Sequence, residues 1–307
     1  MIRIAYFGLP LAACLLGEDG VALTLAVLSP IDAPGRRRVT RWLGARVVDA
    51  RDFEDERRLD EEIERRLSVD PPDLVVSWYW TRRLSARVLA AARLGAIGVH
   101  PSLLPRHRGP NPFFAAIDAG DARTGVTVHR LTPEYDEGDV IAQESFDLDD
   151  RNAWQLARAL DRPSLRVLRR TVQSLARGET LPAAEQDEAL ATWAPEPSGA
   201  LLTVDWSWPT SRVLRRIRAL APVPGLALEI RGAELFVTDA EAASEFPLTL
   251  HPGEAAVTPA GVVIRTGDGA ISLSRAQIAD DGDDASELRR REIAARIAVE
   301  APARSAP

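Results

Sequence analysis

The chain has 307 residues, enough for two domains and a sizeable core, and its 46% hydrophobic and 27% charged residues exclude a disordered, collagen-like or coiled-coil body. A net charge of -7 argues against general binding to DNA or RNA, whose affinity comes from clustered positive charge. The single cysteine, Cys14, excludes internal disulfides and cysteine metal clusters, and all 38 basic residues are arginine, which excludes Schiff-base and P-loop lysines.

In chain order, residues 2–7 read as a first strand and 23–28 as a second, with 46–48 a weaker third and 74–77 a buried fourth. The apolar run 4–17 is too short, and too broken by Gly8 and Pro10, to span a bilayer or act as a secretory signal. It reads as a strand and turn, and the expectation is a cytoplasmic protein without a membrane segment. Arg36, Arg37, Arg38 and Arg41 read as a solvated loop. Residues 53–67 carry Phe53, Leu59, Ile63 and Leu67 as an apolar stripe on a solvated helix. A short helix over 85–92 and a strand over 95–99 lead into the loop His100-Pro-Ser-Leu-Leu-Pro-Arg-His-Arg-Gly109.

Strands over 125–131 and 140–146 flank a polar turn, 132–139, whose Gly138 permits an unusual backbone conformation. Asn152 caps a helix beginning at Ala153, Pro163 interrupts it, and Gly178 stops its continuation. Residues 181–198, rich in Pro, Ala and acid, read as a linker, with the domain boundary near Pro195. Pro209 opens a helix bearing Val213, Leu214, Ile217 and Leu220, and short strands follow over 226–230, 234–238, 261–265 and 270–273. A charged helix and a small-residue tail come after Asp280. The fold class expected is α/β: a Rossmann-like domain with a mainly parallel sheet over 1–195, a small β-barrel-like (OB-like) domain over 196–285, and a helix and tail over 286–307.

The loop from His100 follows a strand, where open α/β sheets place ligands. A histidine fixed there can move a proton near neutral pH and Asp136, in the second glycine-containing turn, can serve as its partner, but lone histidines and turn aspartates are mostly structural, and the residues alone favour that reading. His129, on a strand leading to that turn, reads as support for the site, whereas His107 and His251 read as surface residues. Gly8-Leu-Pro-Leu-Ala-Ala13 is not the glycine-rich turn of a dinucleotide-binding dehydrogenase, and no acidic or histidine cluster has metal-ligand spacing.

The blocks Val99-His100-Pro-Ser-Leu-Leu-Pro-Arg-His-Arg-Gly-Pro-Asn-Pro112, Gly120-Asp121, Thr124-Gly-Val-Thr-Val-His129 and Asp136-Glu-Gly-Asp139 resemble, in order and spacing, the signature of the folate-dependent formyltransferases. Val204-Asp-Trp206, the segment from Ile217 to Gly225 and Thr266-Gly-Asp-Gly269 are similar to the carboxyl-terminal domain of methionyl-tRNA formyltransferases. The resemblance implies a formyltransferase catalytic domain over 1–195 and transfer of the formyl group of 10-formyltetrahydrofolate, as co-substrate, to an amine. It assigns His100 to polarising the formyl carbonyl and Asp136 to keeping that histidine protonated and shuttling the amine's proton. The family's asparagine, two residues before the histidine, is here Gly98.

A carboxamide donor at an oxyanion is worth about 10²–10³ in rate, so its absence matters. A water can fill the gap, Asn111 can reach in as substitute donor, or formyl transfer has been lost or replaced. For the folate pocket the resemblance points to Trp78, Tyr79, Trp80, Arg82, Leu84, Leu131 and Tyr135, with strand alternation turning at least one aromatic of the Trp78-Tyr-Trp80 run inward. The form Ser77-Trp-Tyr79 resembles the aromatic segment of the sugar-nucleotide formyltransferases. From Leu201 on, 12 Arg stand against 15 Asp plus Glu, a net of -3, so tRNA is the less favoured acceptor and a small-molecule amine the expected one. A homodimer is compatible with this reading.

Overall fold

The computed structural model describes residues 1–278 and 287–299, and the chain divides into two compact units. The first holds residues 1–112, 123–147 and 159–194; the second holds 113–122, 148–158 and the chain from Pro195. The first third of the chain alternates strand and helix as β1 (Arg3–Gly8), α1 (Pro10–Glu18), β2 (Ala22–Leu28), α2 (Arg36–Leu43), β3 (Val47–Asp49), α3 (Glu56–Val69), β4 (Leu74–Trp78), α4 (Ala86–Ala90) and β5 (Ala96–His100). There follow α5 (Pro112–Ala119), β6 (Arg123–Arg130), β7 (Val140–Asp147) and α6 (Ala153–Ala176).

The seven strands form one sheet in the order β3-β2-β1-β4-β5-β6-β7. β3 to β5 in that order run parallel, and β6 lies antiparallel to both of its neighbours. The apolar side chains of β1 and β4 are buried, as in strands covered on both faces. Because the chain steps outward from β1 to β3 and then crosses to β4, the crevice beyond the carboxyl ends of the strands is the natural ligand site of the sheet.

Three local readings are corrected here. Residues 10–18 form a helix rather than a turn, because Pro10 occupies its first position, where a missing N–H is not needed. Gly8 ends β1 at φ 138°, against the Trp78 carbonyl, leaving 1.8 Å for any Cβ. Arg36–Leu43 is also a helix, not a loop: Gly35 turns at φ 96°, and buried Arg36 pairs with Asp49 at 2.8 Å and donates to the Ile31 carbonyl. Arg37, Arg38 and Arg41 remain exposed. Finally, Pro163 lies inside an unbroken α6, whose buried Leu160, Leu168 and Val172 offset the one backbone hydrogen bond the proline cannot make.

The second unit contains α7 (Thr210–Leu220), β8 (Leu226–Ile230), β9 (Ala233–Ala242), β10 (Ala255–Thr258), β11 (Gly261–Arg265), β12 (Ala270–Gln277), β13 (Glu287–Arg289) and α8 (Arg290–Val299). Its strands form an antiparallel sheet, β10-β11-β12-β9-β8, with β13 on β12 and register shifts around Arg275 that bend the β12–β9 ladder. Pro209 caps α7 instead of opening it. Arg216 on α7 is buried; it grips both carboxylate oxygens of Asp118 at 2.7 and 2.9 Å and donates to the carbonyls of Ala200, Leu201 and Thr203. The expected boundary at 285/286 and the tail after 299 lie outside the described residues. Among the described residues no helix is long and apolar enough to cross a membrane.

Candidate active site

The site grows from the pairing of β5 with β6. Antiparallel register sets Gly98 opposite His129 and His100 opposite Thr127, and period-two alternation puts all four on one face of the sheet. The two imidazoles therefore meet on a diagonal, with ring centroids 6.5 Å apart and planes at 86°. Beyond β6 the chain turns back at Asp136, which adopts φ 58°, a left-handed conformation that aspartate tolerates. Gly138 lets this turn close against the strand end, since a Cβ there would lie 2.0 Å from the Arg130 carbonyl.

Asp136 stands between the two histidines. Its Oδ2 lies 3.5 Å from His100 Nδ1 and accepts the Gly109 N–H at 2.8 Å; its Oδ1 lies 3.7 Å from His129 Nε2. His100 is 6% exposed, and its Nε2 lies 2.7 Å from the His107 carbonyl; His129 Nδ1 lies 2.8 Å from the Arg130 carbonyl. A carbonyl oxygen only accepts, so each of these nitrogens carries a proton. The nitrogens left facing the carboxylate are His100 Nδ1 and His129 Nε2. Burial holds the His129 pKa down at about 4 although Asp136 pulls the other way, so that ring is uncharged at neutral pH.

The loop after β5 is pinned from several sides. Thr127 Oγ1 donates to the Ser102 carbonyl and accepts from Leu104 N and from Gln143 Nε2, while Gln143 also donates to the Leu104 carbonyl. His107, expected at the surface, is buried at φ 61°, its N–H donating to Thr192 Oγ1. His251 is exposed. The segment read as a linker is part of this scaffold: Ala184 bridges Val140, and Trp193 bridges Arg108. Arg108 is buried and pairs with Glu188 at 2.6 Å.

The space beside Gly98 is taken by Leu131, whose Cδ2 would lie 2.6 Å from a Cβ at that position. Asn111 stands before α5 with its backbone N–H donating to the Ala194 carbonyl. Of the aromatic run, Trp78 is 3% exposed and donates Nε1 to Ser164 Oγ at 2.9 Å, a core position. Tyr79 takes φ 53°, and its pKa is pushed up by burial and then by the nearby Asp161 carboxylate. Trp80 packs edge-on against Phe7 at 5.7 Å, with its Nε1 buried and no acceptor among the described residues. Arg82 turns back to Glu56 at 3.2 Å, and Leu84 packs on the core. Tyr135 is 39% exposed, with the Arg83 guanidinium 4.4 Å over its ring and Trp193, 55% exposed, 6.3 Å away. Arg83 falls inside the segment 82–84 that the resemblance assigns to the folate pocket, whereas Trp193 lies in the stretch read as a linker, and its signal in the sequence is a lone aromatic in a run rich in Pro, Ala and acid.

With a histidine–aspartate pair at the carboxyl end of a Rossmann-like sheet, comparison with known proteins assigns the class. Residues 9–168 match the formyl transferase family and residues 200–283 its C-terminal domain, and the chain belongs to the formyl transferase family. A methionyl-tRNA formyltransferase of Ralstonia nicotianae is 35% identical over 214 residues, which are 69% of this chain and 65% of that protein. HypX from Aquifex aeolicus, solved with tetrahydrofolic acid, superimposes with a TM-score of 0.66 at 23% identity, covering 96% of this chain and 47% of HypX. An N-formyltransferase from Helicobacter canadensis, solved with folinic acid and dTDP-3-aminofucose, gives a TM-score of 0.64 at 14% identity, covering 88% of this chain and 98% of that one.

Proposed function

We propose that this chain transfers the formyl group of 10-formyltetrahydrofolate to a primary amine of a small-molecule acceptor, an amino sugar nucleotide or an amino-acid-derived intermediate. The observation that carries this reading is the 3.5 Å approach of His100 to Asp136 at the end of β5 in a chain of the formyl transferase family. The amine nitrogen attacks the formyl carbon, the bond from that carbon to the folate nitrogen breaks, and the proton lost by the amine ends on the folate nitrogen. His100 turns its Nε2–H from the His107 carbonyl to the formyl oxygen, where negative charge grows. Asp136 orients the imidazole and relays the amine's proton. Folate fits the residues present: the unpaired Trp80 Nε1 offers a donor to a heteroaromatic ring, and Tyr135 with Arg83 offers a flat, cationic surface for an aryl group bearing carboxylates. Gly98 has no side chain to donate to the formyl oxygen, so that part falls to His100 and Asn111.

A second reading, methionyl-tRNA as acceptor, is favoured by the Ralstonia relative and by exposed Arg37, Arg38 and Arg41 on α2, and opposed by the net -3 of the chain from Leu201. The test is release of tetrahydrofolate from 10-formyltetrahydrofolate with a panel of amines and with charged initiator tRNA, using His100→Ala as control. Turnover with a small amine supports the first reading and turnover with tRNA alone the second. No folate product with any acceptor overturns both and leaves a formyltransferase fold put to another use.

A further inference from the structure

Gln186 lies in a run of exposed residues, 182–190, yet is itself 7% exposed. Its side chain is fully employed. Both amide hydrogens are donated, to the Asp136 and Gly138 carbonyls at 2.7 Å each, and Oε1 accepts two N–H groups of Arg108 at 3.1 and 3.0 Å. Arg108 precedes Gly109, whose N–H holds Asp136 Oδ2. The amide thus grips the catalytic turn on one side and the loop that orients its carboxylate on the other. We infer that Gln186 is a positioning residue that sets the approach of Asp136 to His100. This rests on the proposed role of that pair in formyl transfer. A Gln186→Glu change keeps the acceptor for Arg108 but brings an oxygen against two carbonyl oxygens, so the turn must move.

The test has an arm that does not depend on turnover. The chain has four histidines, so the ring nitrogens of His100 can be followed individually by NMR after ¹⁵N labelling. In Gln186→Glu, and in the apolar near-isostere Gln186→Met, the His100 ring signals are expected to move from their wild-type positions, with kcat down about 10- to 100-fold and the KM for folate little changed. In the wild-type protein the Gln186 side-chain amide protons are expected to exchange slowly with solvent. Folded variants with unmoved His100 signals, or fast exchange of the Gln186 amide in the wild type, overturn the inference. If the wild type shows no formyl transfer, the functional proposal fails, while the NMR and exchange arms still decide the role of Gln186.

Discussion

Leu131 occupies the room that a side chain on residue 98 would need: its Cδ2 lies 2.6 Å, and its Cγ 3.3 Å, from the Cβ position of Gly98. Residue 98 sits in a regular strand, so an asparagine is opposed there by Leu131 and not by the backbone. Gly98→Asn alone is expected to destabilise the protein by about 1–3 kcal/mol through overpacking, measured by denaturant unfolding. With Leu131→Ala added, stability should partly return, and formyl transfer should exceed that of Leu131→Ala alone by up to about 10²-fold. A double variant no faster than Leu131→Ala would show that the site does not use a donor at position 98.

His129 ties stability to acid pH. Its pKa in the folded chain is about 4, set chiefly by burial, against about 6.5 in an unfolded chain. A depressed histidine binds its proton more readily when unfolded, so its contribution is complete above pH 6.5 and is lost as pH falls toward 4. The loss is about 3 kcal/mol over that window. Guanidinium unfolding of wild type and His129→Asn at a series of pH values should show the advantage of the wild type shrinking across that interval and constant above it.

Trp78 is tied to the core by its Nε1 hydrogen bond to Ser164. Trp78→Phe is expected to cost about 1–3 kcal/mol in stability and to leave the affinity for a non-transferring 10-formyltetrahydrofolate analogue unchanged, by calorimetric titration. A matching loss of affinity would place the indole against the ligand instead.

In the second unit, Arg216→Met should destabilise by about 3–5 kcal/mol, because Asp118 and three carbonyls lose their buried partner at once. Asp118→Asn together with Arg216→Met should cost less than Arg216→Met alone, read by thermal unfolding of both variants.

The strands of the parallel sheet were legible because continuous apolar runs such as those of β1 and β4 favour buried strands, whereas for His100 and Asp136 local pattern favours a structural reading and only the resemblance of their loops to the formyltransferase signature singles them out. α1 was missed because Pro10 reads as a breaker until the position after a strand end makes it a first helical residue. α2 was missed because its arginines look like solvated charge, and the burial of Arg36 depends on Asp49, thirteen residues away. Leu131 over Gly98 and Gln186 under Asp136 depend on the register of β5 with β6 and on a return of the chain 50 residues later. Local patterns do not encode contacts of that range.

The seven-stranded sheet is finished at both borders in ways that discourage recruitment of a foreign strand. One border, β3, has only three residues; the other, β7, has its first residue covered by Ala184 and carries Glu144 and Asp147 further along, paired with Arg166 and Arg123. Short and charged borders resist sheet-to-sheet growth. A concentrated stock of this protein should therefore resist amyloid-like ordering, and any self-association should use a surface other than the sheet border.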